Sequence, residues 1–171
     1  MATHKRNHKP KNVVFIGKKE IGARCLAQLL KRGIKPKFEI KGKPDIIFFI
    51  GNTKILPEDK MIAPCLNIHP GLLPKYRGRY SIPYVIFNGE EYFGVTLHWI
   101  DKGIDSGEII MQEKIKIEEY DTAYSLWQKF NEVGERMFGE FLNMWLSCKP
   151  IVSYPQDEKE ATYYHRHLPN D

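Results

Sequence analysis

Short apolar runs broken by Gly, Pro and charged turns fill the first half of the chain, and one long helical stripe fills much of the second. Val13-Val14-Phe15-Ile16-Gly17 reads as a buried strand. In Ile21–Arg32 the residues Ala23, Leu26, Ala27, Leu29 and Leu30 recur at helical spacing, and Gly33 ends the pattern. Asp45-Ile46-Ile47-Phe48-Phe49-Ile50-Gly51 is a second strand, and its unbroken apolar run predicts a sheet covered on both faces. Strand, helix, strand opens a right-handed parallel α/β unit. The linker Ile34–Pro44 has room only for a short edge strand at Phe38–Ile40. Cys65–Ile68 predicts a third strand, and Tyr80–Phe87 a helix interrupted near its start by Pro83. Phe93–Ile100 sets Val95, Leu97 and Trp99 against Thr96 and His98, the alternation of a strand, and Glu108–Ile117 predicts its antiparallel partner. Asp121-Thr122 is a helix N-cap. Beyond it Ala123, Leu126, Phe130, Val133, Met137, Phe141 and Trp145 form the stripe of a long helix that stops before Pro150.

A length of 171 residues, 42% hydrophobic and 27% charged, is that of one soluble globular domain with a sizeable core. No run approaches the length needed to span a bilayer, and the N-terminus lacks a signal-peptide apolar core. Cys25, Cys65 and Cys148 are odd in number and lack metal-type spacing, which predicts reduced thiols and a cytoplasmic location. The net charge of +5 invites a nucleic-acid partner. Much of the excess sits in residues 1–11, read as a disordered basic arm preceding a domain at 12–171, and a second patch spans Lys31–Lys43. Neither carries an RNP-type aromatic motif or zinc-finger spacing, so nucleic acid is disfavoured. A solvated basic face, or an anionic small molecule, accounts for the charge.

Candidate chemistry concentrates in two short stretches. In Asn67-Ile68-His69-Pro70-Gly71 the two polar side chains are two apart and face the same way at a strand end, which Pro70-Gly71 closes. In Gly103-Ile104-Asp105-Ser106-Gly107 a carboxylate sits between glycines in a turn. A carboxylate near His69 fixes its tautomer and takes a proton, while Asn67 offers an uncharged N–H donor for an oxyanion. These parts describe acyl transfer to an incoming nucleophile without a covalent enzyme intermediate. Singly, each has a plainer reading: a structural histidine, a turn asparagine, an Asx turn. A metal site drawn through His69, His98 and Asp105 is disfavoured, because Asn67 is a poor ligand and the candidates lie on separate, unpatterned segments. Gly17-Lys18-Lys19-Glu20-Ile21-Gly22 is neither G-x-G-x-x-G nor a P-loop and reads as an ordinary βα turn.

Asn67-Ile68-His69-Pro70-Gly71-Leu72-Leu73-Pro74-Lys75-Tyr76-Arg77-Gly78 resembles the active-site stretch of the 10-formyltetrahydrofolate-dependent formyltransferases. Gly94-Val95-Thr96-Leu97-His98, then Ile100 to Ile110, and the tail Pro155-Gln156…Ala161-Thr162-Tyr163-Tyr164-His165-Arg166 extend the likeness. The resemblance implies a compact Rossmann-like α/β core with a mostly parallel sheet, and Asn67, His69 and Asp105 as the catalytic trio, with His69 a second oxyanion donor beside Asn67. It places the pterin of 10-formyltetrahydrofolate against Phe49, Gly51, Asn52 and Leu56 on one side and Asp101 and Ile104 on the other. The likeness is strongest to nucleotide-sugar N-formyltransferases, which makes an amino-deoxy sugar nucleotide the expected substrate, with Arg77, Arg79, Tyr80 and Tyr164 as its contacts. A methionyl-tRNA formyltransferase is the alternative, set back because no C-terminal β-barrel is expected before Asp171. A non-catalytic ligand-binding relative and a formyltetrahydrofolate hydrolase are further alternatives. Family members usually carry additional βα units between the first helix and the strand before the catalytic Asn. Ile34–Pro44 is too short for them, so a shortened N-terminal half and a reduced folate wall are expected. A homodimer is expected through exposed Trp and Phe residues of the C-terminal helix.

Overall fold

A computed structural model describes residues 2–4 and 11–165 of the chain. Five strands form the main sheet: β2 (Val13–Gly17), β3 (Ile46–Ile50), β4 (Cys65–His69), β6 (Tyr92–Trp99) and β7 (Ile109–Lys116), in the spatial order β2-β3-β4-β6-β7. β2, β3 and β4 pair in parallel, and β6 runs antiparallel to both β4 and β7. Four of the five strands therefore point the same way, and β6 alone is reversed. Helix α1 (Lys19–Lys31) crosses between β2 and β3 as the apolar periodicity predicts.

The two faces of the sheet are covered differently. On one face α1 and the long helix α3 (Ala123–Leu146) bury Phe15, Phe48, Leu66, Ile68, Val95 and Leu97 beneath Ile21, Leu29, Phe138 and Phe141. Phe48 meets Phe138, Phe141 and Trp145 edge-on, at centroid distances of 5.0, 6.1 and 5.9 Å. On the other face a smaller cluster of Val14, Ile47, Leu56 and Cys65 is roofed by loop residues such as Ile40 and Met61 rather than by helices. Between β3 and β4 the chain makes only a short 3-10 turn at Glu58–Lys60, so this face stays thinly covered and opens toward the ends of the parallel strands.

Several expectations change. The edge strand at Phe38–Ile40 reduces to one bridge, Lys37 beside Val14, with Phe15 N–H donating to Lys37 O at 2.8 Å. Pro83 does not interrupt α2 (Ser81–Phe87); it sits in the first turn, where a missing N–H breaks no helical bond. Most of the α3 Trp and Phe residues expected to be exposed are not: Phe130, Phe138, Phe141 and Trp145 all point into the core, and Trp127 is half-buried. Of the segment expected to be a disordered arm, Ala2–His4 forms β1, antiparallel to β8 (Ile151–Ser153), while residues 1 and 5–10 lie outside the described residues. Among the described residues no helix is long and apolar enough to cross a membrane.

After α3 the chain returns across the site. β8 is followed by a 3-10 turn at Glu158–Glu160 and by β9 (Tyr163–Tyr164), which pairs in parallel with β5 (Arg77–Gly78). This strap closes the end of the sheet where β4 terminates.

Candidate active site

The period-two pleat builds the site. Along β4, Leu66 and Ile68 face the helical core, so Asn67 and His69 face the thinly covered side. Along β6 the same parity sends Thr96 and His98 to that side, and the antiparallel register sets Asn67 opposite His98 and His69 opposite Thr96. Opposite β7 a bulge between Leu97 and His98 breaks the ladder at this point. Thr96, fully buried, donates its hydroxyl to Gly71 O at 2.6 Å and accepts from Gln112 Nε2 at 2.8 Å. That pins the Pro70–Leu73 turn against the sheet.

Asp105 arrives on the loop between β6 and β7. Its backbone is left-handed, φ 51°, and its Oδ2 accepts the Gly78 N–H at 2.9 Å and lies 3.3 Å from His69 Nδ1. Two glycines permit this approach. A Cβ at Gly107 would stand 1.9 Å from Trp99 O, and one at Gly78 (φ +92°) would stand 2.5 Å from Tyr164 O. Burial pushes the Asp105 carboxyl up. The His69 and His98 rings, the Gly78 N–H and Arg77 together outweigh it and hold the group below its ordinary value, so it is a carboxylate at neutral pH.

His69 is buried and both its nitrogens are engaged. Nε2 lies 2.7 Å from Tyr76 O, which can only accept, so Nε2 carries a proton. Nδ1 then faces Asp105 Oδ2, 3.3 Å away. The His69 ring thus bridges the Tyr76 carbonyl and the Asp105 carboxylate. His98 donates from Nδ1 to Trp99 O at 2.8 Å, and its Nε2 stands 3.4 Å from Asn67 Nδ2 and 3.6 Å from Asp105 Oδ1.

These groups open into a cleft of about 730 Å³, a size suited to a cofactor-sized molecule. Phe49, Gly51, Asn52 and Leu56 line one wall, Asp101 and Ile104 another, and Arg79, Tyr80 and Tyr164 a third. Asn52 also ties β2 to β3, donating to Ile16 O at 2.7 Å, and Asp101 orders its own loop by accepting from Ser106 Oγ at 2.7 Å. Arg79 is exposed and reaches the Thr53 carbonyl. Tyr164 stacks on Tyr76 with ring centroids 5.0 Å apart, so packing holds it at the rim.

Arg77 is the exception among the expected substrate contacts. It is fully buried, lies outside the cleft, and gives all five guanidinium N–H bonds to Gln156, Glu158 and Tyr163. No donor remains for a substrate, and Arg77 instead ties β5 to the C-terminal strap. Three contributors escaped the sequence reading: the Tyr76 carbonyl, Gln156, and His98, weighed there only as a metal ligand. The parity of Thr96 and His98 with Asn67 and His69 is the signal that could have found His98.

A family model described as Formyl transferase matches residues 4–142. A methionyl-tRNA formyltransferase of Caldicellulosiruptor saccharolyticus is 36% identical over 137 residues, which cover 77% of this chain and 43% of that protein. The bifunctional polymyxin resistance protein ArnA of Wigglesworthia glossinidia brevipalpis is 42% identical over 134 residues, 77% of this chain and 20% of that protein. The chain thus spans less than half the length of these curated relatives. Among solved structures, an N-formyltransferase from Helicobacter canadensis in complex with folinic acid and dTDP-3-aminofucose superposes with a TM-score of 0.81 at 24% identity, covering 90% of this chain and 70% of that one. Sheet order, strand parity and the match over most of the chain agree: this protein belongs to the formyl transferase family.

Proposed function

We propose that the chain transfers a formyl group from 10-formyltetrahydrofolate to the primary amine of an amino-deoxy sugar nucleotide. The observation that carries this is the convergence of Asn67, His69 and Asp105 on one cleft wall, with His69 Nδ1 3.3 Å from the Asp105 carboxylate. The complex of the Helicobacter canadensis protein with a folate and an amino-sugar nucleotide supports the two substrate classes. A cytoplasmic setting suits the three free cysteines.

The folate residues present fit such a cosubstrate. The Gly51–Leu56 segment and the Asp101–Ile104 loop form facing walls with apolar side chains at Phe49, Leu56, Ile100 and Ile104. A 10-formyltetrahydrofolate held there would supply the formyl carbonyl; the chain supplies donors and a base. Asn67 directs an amide N–H at the carbonyl oxygen as negative charge develops there, an effect worth about 3–4 kcal/mol for a well-placed donor. Asp105 Oδ1 would receive the proton of the attacking amine and pass it to the folate nitrogen as the bond from that nitrogen to the formyl carbon breaks, releasing tetrahydrofolate, while Oδ2 stays anchored by Gly78 and His69. Lys19, Lys54 and Arg79 along the cleft give an anionic nucleotide a favourable approach.

Methionyl-tRNA is the second reading, favoured by the name of a 36%-identical relative. The test is release of tetrahydrofolate followed by absorbance with a panel of amino sugar nucleotides and, separately, charged initiator tRNA. Turnover with an amino sugar nucleotide alone supports the proposal. Turnover with tRNA alone replaces it, and turnover without any amine points to hydrolysis.

A further inference from the structure

The cleft contains one buried histidine that the proposed chemistry does not use. We infer that His98 is a positioning residue: as the neutral tautomer protonated on Nδ1, it holds the Asn67 amide with its NH2 group toward the imidazole and its remaining N–H toward the cleft. This rests on the proposed formyl transfer for its catalytic consequence, and on geometry alone for its structural content.

The assignment follows from which atoms can donate. Trp99 O, 2.8 Å from Nδ1, has no hydrogen, so Nδ1 carries one. The ring is 1% exposed, and burial holds its basicity below the ordinary value although Asp105 works the other way. Nε2 is then a lone pair, and the group facing it 3.4 Å away is Asn67 Nδ2. An asparagine amide has two nearly isosteric orientations, and only one presents N–H to a lone pair. In that orientation Oδ1 is turned away from His98 and one N–H is left over. Reversing the amide would set its oxygen against the Nε2 lone pair, a repulsion in a buried site. The strand register makes the arrangement rigid, because Asn67 and His98 are directly opposed on β4 and β6.

His98 also screens the site from a competing arrangement. Its Nε2 is 3.6 Å from Asp105 Oδ1, and its ring lies edge-on to His69 with centroids 6.4 Å apart. A proton on Nε2 would draw His98 toward Asp105 Oδ1 and withdraw the acceptor from Asn67.

Two measurements test this. In the wild-type protein, long-range ¹H–¹⁵N correlation spectra of the His98 ring at pH 7 should show Nδ1 protonated and Nε2 bare, and the Asn67 side-chain amide resonances should move in His98→Phe. An Nε2-protonated tautomer, or Asn67 amide resonances indifferent to His98→Phe, overturns the inference whether or not the chain transfers formyl groups. In turnover, His98→Phe should lower kcat by about 10- to 100-fold with the folate KM changed less than about twofold. His98→Gln, which offers Asn67 an amide oxygen, should recover part of the loss. The loss should disappear when Asn67 is already alanine, since His98 acts through it. An equal loss in both backgrounds overturns the inference. Absence of turnover with every amine sinks the transfer reading and leaves the resonances to decide this one.

Discussion

Asp105 occupies a left-handed conformation that costs an ordinary L-residue about 1–2 kcal/mol, and Asp and Asn are the side chains that best tolerate it. Asp105→Asn therefore preserves the backbone and removes only the charge and the proton acceptor. Its kcat should fall by about 10²- to 10⁴-fold with little loss of fold, checked by steady-state turnover beside circular dichroism. His98 makes a separate prediction about pH. Its folded-state basicity lies below the ordinary 6.5, so in the window beneath 6.5 the unfolded chain binds the extra proton and the folded chain does not. Stability should fall as pH drops below 6.5, with the decline ending at the folded value. The His98→Phe variant should lack this component in urea titrations at pH 5 to 7, and an unchanged slope would count against burial as its cause. The depressed Asp105 carboxyl adds a further loss only in more acid solution, below its ordinary 3.8. Asn67, His69 and Asp105 were legible as residues because Gly and Pro frame them in the chain. Their division of labour was not, since the commitment of His69 Nε2 to Tyr76 O depends on where a turn seven residues later folds back.

The elements around the site are joined by the C-terminal strap. Gln156 ties the strap to two other segments: its Oε1 accepts two N–H bonds from buried Arg77, and its Nε2 donates to Asp105 O and Gly107 O at 2.8 and 2.7 Å. The amide thus anchors both ends of the turn that presents the Asp105 carboxylate. Gln156→Leu leaves those carbonyls and the Arg77 guanidinium short of partners, at a cost of about 1–3 kcal/mol. It should also loosen Asp105 and lower kcat more than it raises KM, read by thermal unfolding and by kinetics on the same sample. The apolar stripe of α3 and its Thr122 cap were readable locally, as was the alternation of β6. The strap was not, because β8 and β9 are two or three residues long and exist only through their distant partners.

At the level of the protein, the sheet separates two tasks. One face carries the aromatic core under α1 and α3 and supplies stability; the other, roofed by loops, carries the polar residues of β4 and β6. Phe48, fully buried among three aromatic rings, belongs to the first task. Phe48→Ala should lower unfolding free energy by about 3–5 kcal/mol in denaturant titration, while the surviving folded fraction keeps its folate KM. A large KM change would mean that the faces are coupled. Apolar periodicity and turn residues are local quantities, so the chain alone determined β2, α1, β3, β4, β6, β7 and α3, the parity that puts Asn67 and His69 on one face, and the membership of Asp105 in a tight turn. Pairing and burial are non-local, and they belong to the folded structure. The register of β4 on β6 brought His98 to Asn67, and the return of the strap turned Arg77 from an expected substrate contact into a buried tie with every donor satisfied. No pattern along the chain distinguishes those two arginine fates, because the groups that decide between them lie about 80 residues downstream.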